Sequence, residues 1–507
     1  MLFTVADCVA ANALAFPNRT AIEVLGSRTL HGEAPPERWT YADLWRRVNG
    51  LVEGIGHVEP GANGPMVALL LDNGADHALA YLACQVAGVA AVPVNNRLAE
   101  PEVCFVVTDS GASVIVSGGE HLGTAEAVAA QAGARVVDVA TLATPDGAAW
   151  SGPAGAEAAD RTCLVAYTSG TTGFPKGSTV TNGALLTRFT QWGWTFGLSP
   201  EQVLSVPGPL FHMSYGGLTL ASLVVGARAR IMGTFDAHLA LQEYAHHSTW
   251  VFLVPSMLAM IAEAWRDQGR PRLEALSVML SSGAPGPMSL LDTAFDMFPR
   301  AAICEAYGWT EGGWVTYERK QRDDLVPHSV GWPMLGTEVA VIDPDTEAPV
   351  AVGRPGEVAA RSIVPFYGYL NRPEATAAAL TGDGMVRSGD VGVMRDDGRL
   401  TIVDRVKDMI ISGGENVYCA EVERILVEHP AVLEAAVVGM PDDTWGERVV
   451  AAVVARPGSI LEPDDVITFT RSRLAHFKCP KQVSLLHELP RNPMGKVQKA
   501  RLVDELS

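Results

Sequence analysis

The chain has too few basic residues to balance its acidic ones. Lys and Arg together number 38 against 57 Asp and Glu, which gives a formal net charge of -19 at pH 7. Nucleic acid binding depends on neutralising phosphates with Lys and Arg, and a polybasic membrane patch needs the same side chains. The charge balance therefore argues against nucleic acid as a partner and against a basic membrane-binding surface.

Long apolar runs and closely paired cysteines are also missing. No run reaches the roughly 18 uninterrupted apolar residues of a spanning helix, and the first residues lack the basic start and apolar core of a secretory signal. The seven cysteines are scattered without a C-x-x-C pair. That spacing favours free thiols in a reducing cytosol over disulfides or zinc. We therefore expect no integral membrane segment and a cytoplasmic location.

Length and periodicity predict a multidomain α/β protein. At 507 residues the chain is too long for one ordinary core, and 48% hydrophobic with 19% charged residues is typical of a packed enzyme. Residues 66–71 and 89–94 read as strands around a helix at 76–87, and Thr40 is placed to cap an amphipathic helix. This β-α-β rhythm predicts parallel sheets covered by helices.

The pattern changes in the second half. Ala154 to Asp160 read as a small-residue linker, and between about 330 and 404 short strands alternate with turn residues, which indicates a small barrel-like subdomain. Beyond it, strands and one helix indicate a small α+β C-terminal domain. These elements are predicted at 431–439, 449–455, 464–474 (the helix) and 482–486.

One segment carries the strongest chemical signal. Residues 164–177 read Leu-Val-Ala-Tyr-Thr-Ser-Gly-Thr-Thr-Gly-Phe-Pro-Lys-Gly. A buried strand beginning at Cys163 leads into a loop of hydroxyl donors and glycines, which allow close backbone approach, and the loop ends in Lys176. This is the chemistry of a polyphosphate grip, although the spacing G-x-x-G-x-x-K-G differs from the common P-loop.

The segment resembles the phosphate-binding signature of the adenylate-forming (AMP-binding) superfamily, which includes acyl- and aryl-CoA ligases, adenylation domains of peptide synthetases and firefly luciferase. Further segments match in the expected order, so the resemblance spans nearly the whole chain. They are Pro209-Leu-Phe-His212, Ser282-Gly-Ala-Pro285, Tyr307-Gly-Trp-Thr-Glu311, Ser388-Gly-Asp390, Asp404-Arg-Val-Lys-Asp408, Ser412-Gly-Gly-Glu-Asn416 and Arg491-Asn-Pro-Met-Gly-Lys496.

The resemblance implies a large N-terminal domain at 1–404, a hinge at 405–407 centred on Lys407, and a mobile C-terminal domain at 408–507. It also implies a nucleotide site in which Asp390 accepts the ribose hydroxyls and Arg405 helps to hold the nucleotide. The implied ATP- and AMP-binding residues are Thr168, Ser169, Gly170, Thr171, Thr172, Lys176, Ser282, Gly283, Ala284, Pro285, Glu305, Ala306, Tyr307, Gly308, Asp390 and Arg405.

The resemblance implies that four residues take part in catalysis. Glu311 is the carboxylate on the side of the Mg²⁺ ion, Thr310 contacts the α-phosphate, Lys496 reaches the substrate carboxylate during adenylation, and His212 bears on thioester formation. One carboxylate is a sparse ligand set, which suits Mg²⁺ because this ion keeps waters and bridges phosphates.

The same resemblance places the acyl substrate beside His212, Gly308 and Trp309. The bulk of Trp309 predicts a short, medium-chain or aromatic acid, and Trp192, Trp194, Trp314 and Trp332 are further candidates for the pocket wall. For coenzyme A it implies Ser412, Gly413, Gly414, Trp445, Phe477, Lys478 and Lys481. Some aryl-CoA ligases carry a further basic residue where this chain has Cys479.

The leading interpretation is an ATP-dependent acyl-CoA ligase with ATP, Mg²⁺ and coenzyme A, with a fatty acid as the preferred substrate and an aromatic acid as the alternative. A stand-alone adenylation enzyme that loads a carrier protein is a second alternative, and His212 counts against it, since relatives that activate amino acids usually have aspartate there. A luciferase-type oxygenase and a regulatory nucleotide-binding protein are less favoured. Whether the chain forms a homodimer is left open.

Overall fold

The computed structural model describes residues 4–26, 28, 29, 32, 33, 36–142, 152, 154–168, 175–284, 286–405, 408–412, 415–442, 445–491 and 497–506. The chain separates into two compact units. The first unit comprises Met1–Glu338 and Ala360–Val386, and the second comprises Val339–Ala359 and Arg387–Ser507. The division predicted at residues 404–408 stays a prediction.

The first unit alternates helices and strands as the β-α-β rhythm predicts. Its helices are α1 (Val5–Ala15), α2 (Tyr41–Ile55), α3 (Ala75–Ala87), α4 (Glu100–Ser110), α5 (Leu122–Ala132), α6 (Asn182–Phe196), α7 (Met213–Val224), α8 (Ala237–His246), α9 (Pro255–Asp267), α10 (Met288–Met297) and α11 (Pro373–Ala378). Its strands are β1 (Thr20–Leu25), β2 (Arg28–Thr29), β3 (Gly32–Glu33), β4 (Glu37–Thr40), β5 (Met66–Leu70), β6 (Ala90–Pro93), β7 (Val114–Ser117), β8 (Arg135–Asp138), β9 (Thr162–Thr168), β10 (Lys176–Thr181), β11 (Val203–Val206), β12 (Arg228–Met232), β13 (Trp250–Leu253), β14 (Val278–Ser281), β15 (Ala302–Trp309), β16 (Gly313–Arg319) and β17 (Ser329–Pro333).

Helix α2 shows how the sequence specifies an element. Thr40 accepts a hydrogen bond from the Asp43 amide and Asp43 bonds back to Thr40, which closes a capping box. Leu44 and Leu51 are fully buried on the predicted face. The cap and the apolar face therefore agree on where this helix begins and which side it buries.

Two sheets organise the first unit. One has the order β10-β9-β6-β5-β7-β8, and its strands are parallel except for the antiparallel pair β9–β10. The other runs β17-β16-β15-β14-β13-β11-β12-β1-β4 within this unit, with a parallel centre from β15 to β1. The carboxyl ends of the parallel strands meet at one edge, where open α/β sheets bind ligands.

Alternating side chains place each sheet between layers of helices. In β5, Val67 and Leu69 join one apolar cluster, whereas Met66 and Leu70 join another on the opposite face. Strand β13 divides in the same way between two clusters. The shared cluster also contains α1, α2, α3, α6 and α7. These helices therefore lie between the sheets, with α4 and α5 on one outer face and α8, α9 and α10 on the other.

Two smaller groups of strands lie wholly or mostly in the second unit. They are β18 (Thr337–Ile342), β19 (Pro355–Ser362), β20 (Val386–Met394) and β21 (Leu400–Arg405), then β22 (Ile410–Ser412), β23 (Glu415–Val417), β24 (Val432–Asp442), β25 (Gly446–Ala455) and β26 (Gln482–Leu486). Its helices are α12 (Cys419–Val427), α13 (Pro463–Arg471) and α14 (Lys499–Leu506). Strands β22–β26 form one sheet with α12 and α13 on one face and α14 on the other. The α/β fold with a small C-terminal α+β domain is confirmed.

The segment before the predicted phosphate-binding loop differs in detail from the prediction, because residues Ala156–Asp160 form a 3₁₀ helix where a linker was expected. Further 3₁₀ helices lie at Gly119–His121 and Val139–Thr141. All seven cysteines are free, and five of them are buried. In the described part of the chain no helix is long and apolar enough to cross a membrane.

Candidate active site

The loop that is predicted to bind phosphate connects β9 to β10. These strands pair antiparallel, with Thr168 opposite Lys176, so the loop leaves and returns at one point of the sheet edge. The Thr168 hydroxyl lies 3.5 Å from the Lys176 carbonyl. The loop residues Ser169, Gly170, Thr171 and Thr172 fall outside the described residues.

Tyr369 joins this loop to a second motif, although the sequence did not single it out. Its hydroxyl donates to Oε1 of Glu311 at 2.5 Å, and Nζ of Lys176 lies 5.3 Å from the centre of its ring. The segment around Tyr369 is bound to β10, because the Leu370 amide donates to the Gly177 carbonyl at 2.8 Å. One side chain therefore contacts both the loop lysine and the predicted metal-side carboxylate.

Thr310 and Glu311 lie in the turn between β15 and β16. Trp309 pairs with Gly313, and the strands approach so closely that a Cβ built on Gly308 would lie 1.9 Å from the Gly313 carbonyl oxygen. Only glycine fits at position 308. The tight hairpin fixes where its turn presents the Thr310 and Glu311 side chains.

Glu305, further down β15, belongs to a buried ionic cluster. Lys320 is 3% exposed, and its ammonium group lies 2.8 Å from Glu305 and 2.6 Å from Glu318. It also donates to the Ser329 carbonyl at 2.7 Å. Burial raises the pKa of Glu305, and the nearby Lys320 opposes that shift. The cluster holds the Glu305 carboxyl group beside Ala306 and Tyr307, which follow it in the same strand.

The Ser282–Ala284 motif directly follows β14. The Ser282 hydroxyl accepts a hydrogen bond from the Trp314 indole at 3.0 Å, and Gly283 has a φ of 93°. The motif therefore turns away from the strand at the same sheet edge as the β15–β16 turn. Pro285 lies outside the described residues.

His212 is the N-cap residue of α7, and its Nδ1 accepts a hydrogen bond from the Ser214 amide at 3.3 Å. The proton of the neutral ring then resides on Nε2. Burial lowers the pKa of His212, which favours this neutral form. The preceding loop is fixed by Asn73, whose side chain bonds to Gly208 and Leu210.

Aromatic rings close the region between α6, α7 and β16. Trp192 lies 4.5 Å from Trp314, ring centre to ring centre, and Phe196 lies 5.1 Å from Trp314. A Cβ built on Gly217 would lie 3.1 Å from the Trp192 ring and 3.3 Å from the sulfur of Met213, which follows His212. Trp192 thus packs on the first turns of α7.

The other tryptophans proposed as pocket walls differ in placement. Trp309 packs on Gly312, and its indole nitrogen is buried without a hydrogen-bond partner in the described part of the chain. Trp194 is 79% exposed and Trp332 is 42% exposed. Neither of these two belongs to the aromatic cluster around Trp314.

In the second unit, Asp390 and Arg405 lie opposite each other on β20 and β21. Nε of Arg405 lies 2.9 Å from Oδ1 of Asp390. Gly389 has a φ of 69°, and its amide donates to Glu357 at 3.1 Å. The predicted ribose carboxylate and its companion arginine are therefore in contact.

The residues predicted to bind coenzyme A also belong to the second unit. The Lys481 ammonium group lies 5.8 Å from the Trp445 ring, and Trp445 is 48% exposed. Lys478 lies 5.8 Å from the Phe477 ring but is also paired with Glu421 at 2.7 Å. Ser412 is buried. Trp445 thus offers an exposed aromatic ring with the Lys481 ammonium group beside it. The charge of Lys478, by contrast, is already neutralised by Glu421.

Some further predicted residues lie outside the part of the chain that the structure describes. They are Lys496, the predicted hinge residue Lys407, Gly413 and Gly414. Their roles stay predictions.

Comparison with known proteins agrees with the sequence motifs. A family model for AMP-binding enzymes matches residues 9–370, and a model for the C-terminal domain of AMP-binding enzymes matches residues 421–496. A feruloyl-CoA synthase of Amycolatopsis is 38% identical, over 91% of this chain and 93% of its own length. A long-chain-fatty-acid–CoA ligase of Mycobacterium tuberculosis is 33% identical, over 88% and 89%.

Among solved structures, ATP-bound MatB from Rhodopseudomonas palustris superposes with a TM-score of 0.84 at 28% identity, covering 99% of this chain and 98% of that one. The similarity therefore extends over both units of the chain.

Proposed function

Because the chain belongs to the family of AMP-binding enzymes, we propose that it is an ATP-dependent ligase that activates a carboxylic acid as an acyl adenylate and then transfers the acyl group to coenzyme A. Joining a carboxylate to a thiol is uphill unless one carboxylate oxygen first becomes a good leaving group. Transfer to AMP with release of pyrophosphate achieves this. Little covalent chemistry falls to the protein, so positioning and charge stabilisation account for most of the catalysis.

The contact made by Tyr369 is the observation that carries the proposal. Its hydroxyl holds Glu311 while its ring lies beneath the Lys176 ammonium group. In the proposed reaction Lys176 binds the polyphosphate and Thr310 contacts the α-phosphate. A cation for the phosphates and a carboxylate for their metal are thereby kept near each other by one side chain.

Mg²⁺ is part of the proposal. In the described residues no group of three or more His, Cys, Asp or Glu is arranged to hold a metal ion. A single hard oxygen ligand fits Mg²⁺, which usually keeps several waters and bridges substrate phosphates. Glu311 would be the protein ligand, with one oxygen fixed by Tyr369, and the ion would neutralise charge on the phosphates.

For the second half-reaction we propose that Trp445 and Lys481 meet the nucleotide end of coenzyme A. An aromatic face can stack on adenine, and an ammonium group can pair with a phosphate. The side chains of His212 and Trp309 are proposed to border the acyl group. Nε2–H of His212 is available as a hydrogen-bond donor there.

A compact acid fits this chain better than a long one. The rings of Trp192, Phe196 and Trp314 pack on one another, and Trp192 lies against the first turns of α7, the helix that His212 caps. An aromatic or short acid is therefore our preferred substrate class. A long-chain fatty acid would need a tunnel that does not pass through this aromatic cluster.

A pyrophosphate-release assay with Mg²⁺, ATP and a panel of carboxylic acids tests the proposal. We expect acid-dependent release of AMP and pyrophosphate, followed by thioester formation with free coenzyme A. Primary products of ADP and orthophosphate would overturn the adenylate mechanism. Transfer to a carrier protein but not to coenzyme A would favour a stand-alone adenylation enzyme instead.

The role proposed for Lys496 is tested by separating the half-reactions. Lys496→Ala should slow adenylation by about 10²- to 10³-fold because the developing charge loses its cation. Transfer from a synthetic acyl adenylate to coenzyme A should be nearly unchanged. Arg491→Ala, which removes a cation five positions earlier in the sequence that is paired with Glu434, is the matched control. Equal losses in both half-reactions would assign Lys496 a structural role.

A further inference from the structure

Arg188, on helix α6, is a buried cation of the first unit. It is 4% exposed, and no hydrogen bond or ion pair joins its guanidinium group to another residue in the described part of the chain. Burial lowers its pKa to about 10, so the group is still protonated at neutral pH. The side chain therefore carries a full positive charge inside the first unit.

Another arginine of the same unit shows what a buried guanidinium group normally requires. Arg230 is 7% exposed, and it is paired with Glu23 and Glu243. Burying a charge is costly unless it is paired and hydrogen-bonded. Arg230 meets that condition with the chain's own carboxylates. Among the described residues no carboxylate pairs with Arg188 in this way, which leaves its positive charge for a bound anion.

The position of Arg188 is at the ligand-binding edge of the sheet. A Cβ built on Gly313 would lie 3.4 Å from Cζ, Nε and Nη2 of Arg188, so the guanidinium group lies against the β15–β16 turn. At the other end of α6, the Phe196 carbonyl accepts a hydrogen bond from Trp250, the first residue of β13. Helix α6 thus runs from the carboxyl-end edge, where ligands bind in open α/β sheets, to the opposite edge.

Arg188 also lies on the side of the acyl region. Trp192 follows it by one helical turn, and residues four apart share a helix face. Trp192 in turn packs on α7 beside Met213, which follows His212. The phosphates, by contrast, are assigned to Lys176 and the β9–β10 loop. A cation on this face of α6 is therefore placed for the acid.

We propose that Arg188 binds a second carboxylate on the acid substrate, so that the enzyme prefers acids with two acidic groups over otherwise identical acids with one. A guanidinium group presents donors in a planar fork that matches a carboxylate. A compact dicarboxylic acid would present one carboxylate for adenylation and the other to Arg188. This inference rests on the proposed acid activation and narrows its substrate class.

Wild-type protein gives the first test. Pyrophosphate release is measured with pairs of acids that are matched in size and differ by one carboxylate, both aliphatic and aromatic. We expect kcat/KM to be about 10- to 100-fold higher for the diacid of at least one pair, because charged hydrogen bonds in a buried site are strong. Activity with equal values in every pair supports acid activation and overturns the role of Arg188. No activity with any acid would count against the proposed function itself.

Two variants give the second test. Arg188→Met keeps much of the side-chain length without the charge, and Arg188→Lys keeps the charge without the fork. We expect Arg188→Met to remove the diacid preference mainly by raising KM for the diacid, and Arg188→Lys to restore it in part. Arg322→Met, which removes an exposed arginine paired with Asp296, should leave the preference intact.

Thermal unfolding distinguishes binding from a structural role. The preferred diacid should raise the Tm of the wild type but not that of Arg188→Met, since ligands stabilise only the state that binds them. Without ligand, Arg188→Met should be at least as stable as the wild type, because it removes an unpaired buried charge. A large loss of stability in the unliganded variant would overturn the proposal. So would a variant whose loss appears in KM for ATP alone.

Discussion

At the residue scale, the side chain of Tyr369 contacts a negative group with its hydroxyl and a positive group with its ring. Its hydroxyl donates to Glu311, and its ring faces Lys176. Burial and the adjacent Glu311 carboxylate raise the pKa of Tyr369, so the hydroxyl keeps its proton and remains a donor. The side chain therefore orients the carboxylate without competing with it for a metal ion as an anion would.

We predict that Tyr369→Phe weakens Mg²⁺-dependent ATP binding while the ring contact with Lys176 is kept. Loss of a charge-assisted hydrogen bond is worth roughly 1.5–3 kcal/mol, so adenylation should fall by about 10- to 100-fold at limiting Mg²⁺. The readouts are the Mg²⁺ dependence of ATP affinity and the rate of pyrophosphate release.

Tyr41→Phe is the matched control, because the Tyr41 hydroxyl donates to the backbone carbonyls of Leu223 and Ala227 away from the site. It should lower stability by about 1 kcal/mol and leave the Mg²⁺ dependence unchanged. If both variants respond to Mg²⁺ alike, Tyr369 has no specific role toward Glu311.

At the element scale, the segment at 368–370 acts as a short strand beside β10. Leu370 donates to Gly177, and the Thr179 amide donates to the Gly368 carbonyl at 3.1 Å. Gly368 has a φ of 107°, and a Cβ there would lie 2.8 Å from Thr376. Strand β10, which follows the predicted phosphate-binding loop, is thus held by a segment that requires glycine at its turn.

Gly368→Ala should raise KM for ATP more than it changes the transfer of a synthetic acyl adenylate to coenzyme A. The strained conformation costs about 1–3 kcal/mol, and relief of it shifts the segment that positions Tyr369. Gly269→Ala is the control, since Gly269 also has a positive φ of 74° but nothing lies within 4 Å of its Cβ position. Identical KM changes in the two variants would show that strain alone, not the segment, is responsible.

Local patterns made much of the fold predictable from sequence. Helix α2 has its cap and apolar face within one stretch of residues. The loop between β9 and β10 is recognisable from its glycine- and hydroxyl-rich composition. Tyr369 and Glu311 are 58 positions apart, so only the folded chain reveals their bond. Arg188 was missed for another reason. The sequence predicts that an arginine in a helix lies at the surface. The burial of Arg188 depends on its contact with the β15–β16 turn at Gly313, which is remote from it in sequence.

At the scale of the whole molecule, one buried histidine makes the stability of the fold depend on pH. His77 on α3 is fully buried, and its Nε2 has no hydrogen-bond partner in the described part of the chain. Burial lowers the pKa of His77 to about 4 from an ordinary value of 6.5. The unfolded chain therefore binds a proton on this ring at a pH where the folded chain does not.

We therefore expect the contribution of His77 to the free energy of unfolding to be fully present above about pH 6.5. It should fall as the pH drops toward about 4 and change no further below that pH. Urea unfolding at pH 7.5 and pH 5 should differ by about 2 kcal/mol through His77, given about 1.4 kcal/mol per pH unit. His77→Gln should remove that part of the difference. His57→Gln, at a side chain that is 79% exposed, should keep it, and an unchanged difference in His77→Gln would refute the assignment.

The reactivity of the buried thiols can be used to measure local opening of the folded chain. Burial raises the pKa of Cys84 and of Cys163 in the first unit, and of Cys419 in the second. A thiol held protonated and covered reacts with an alkylating reagent only when its surroundings open. Mass spectrometry of alkylated peptides along a urea gradient would therefore give a separate opening free energy for each unit, with no fluorophore or engineered label. The same measurement would show which of the two units opens at the lower urea concentration.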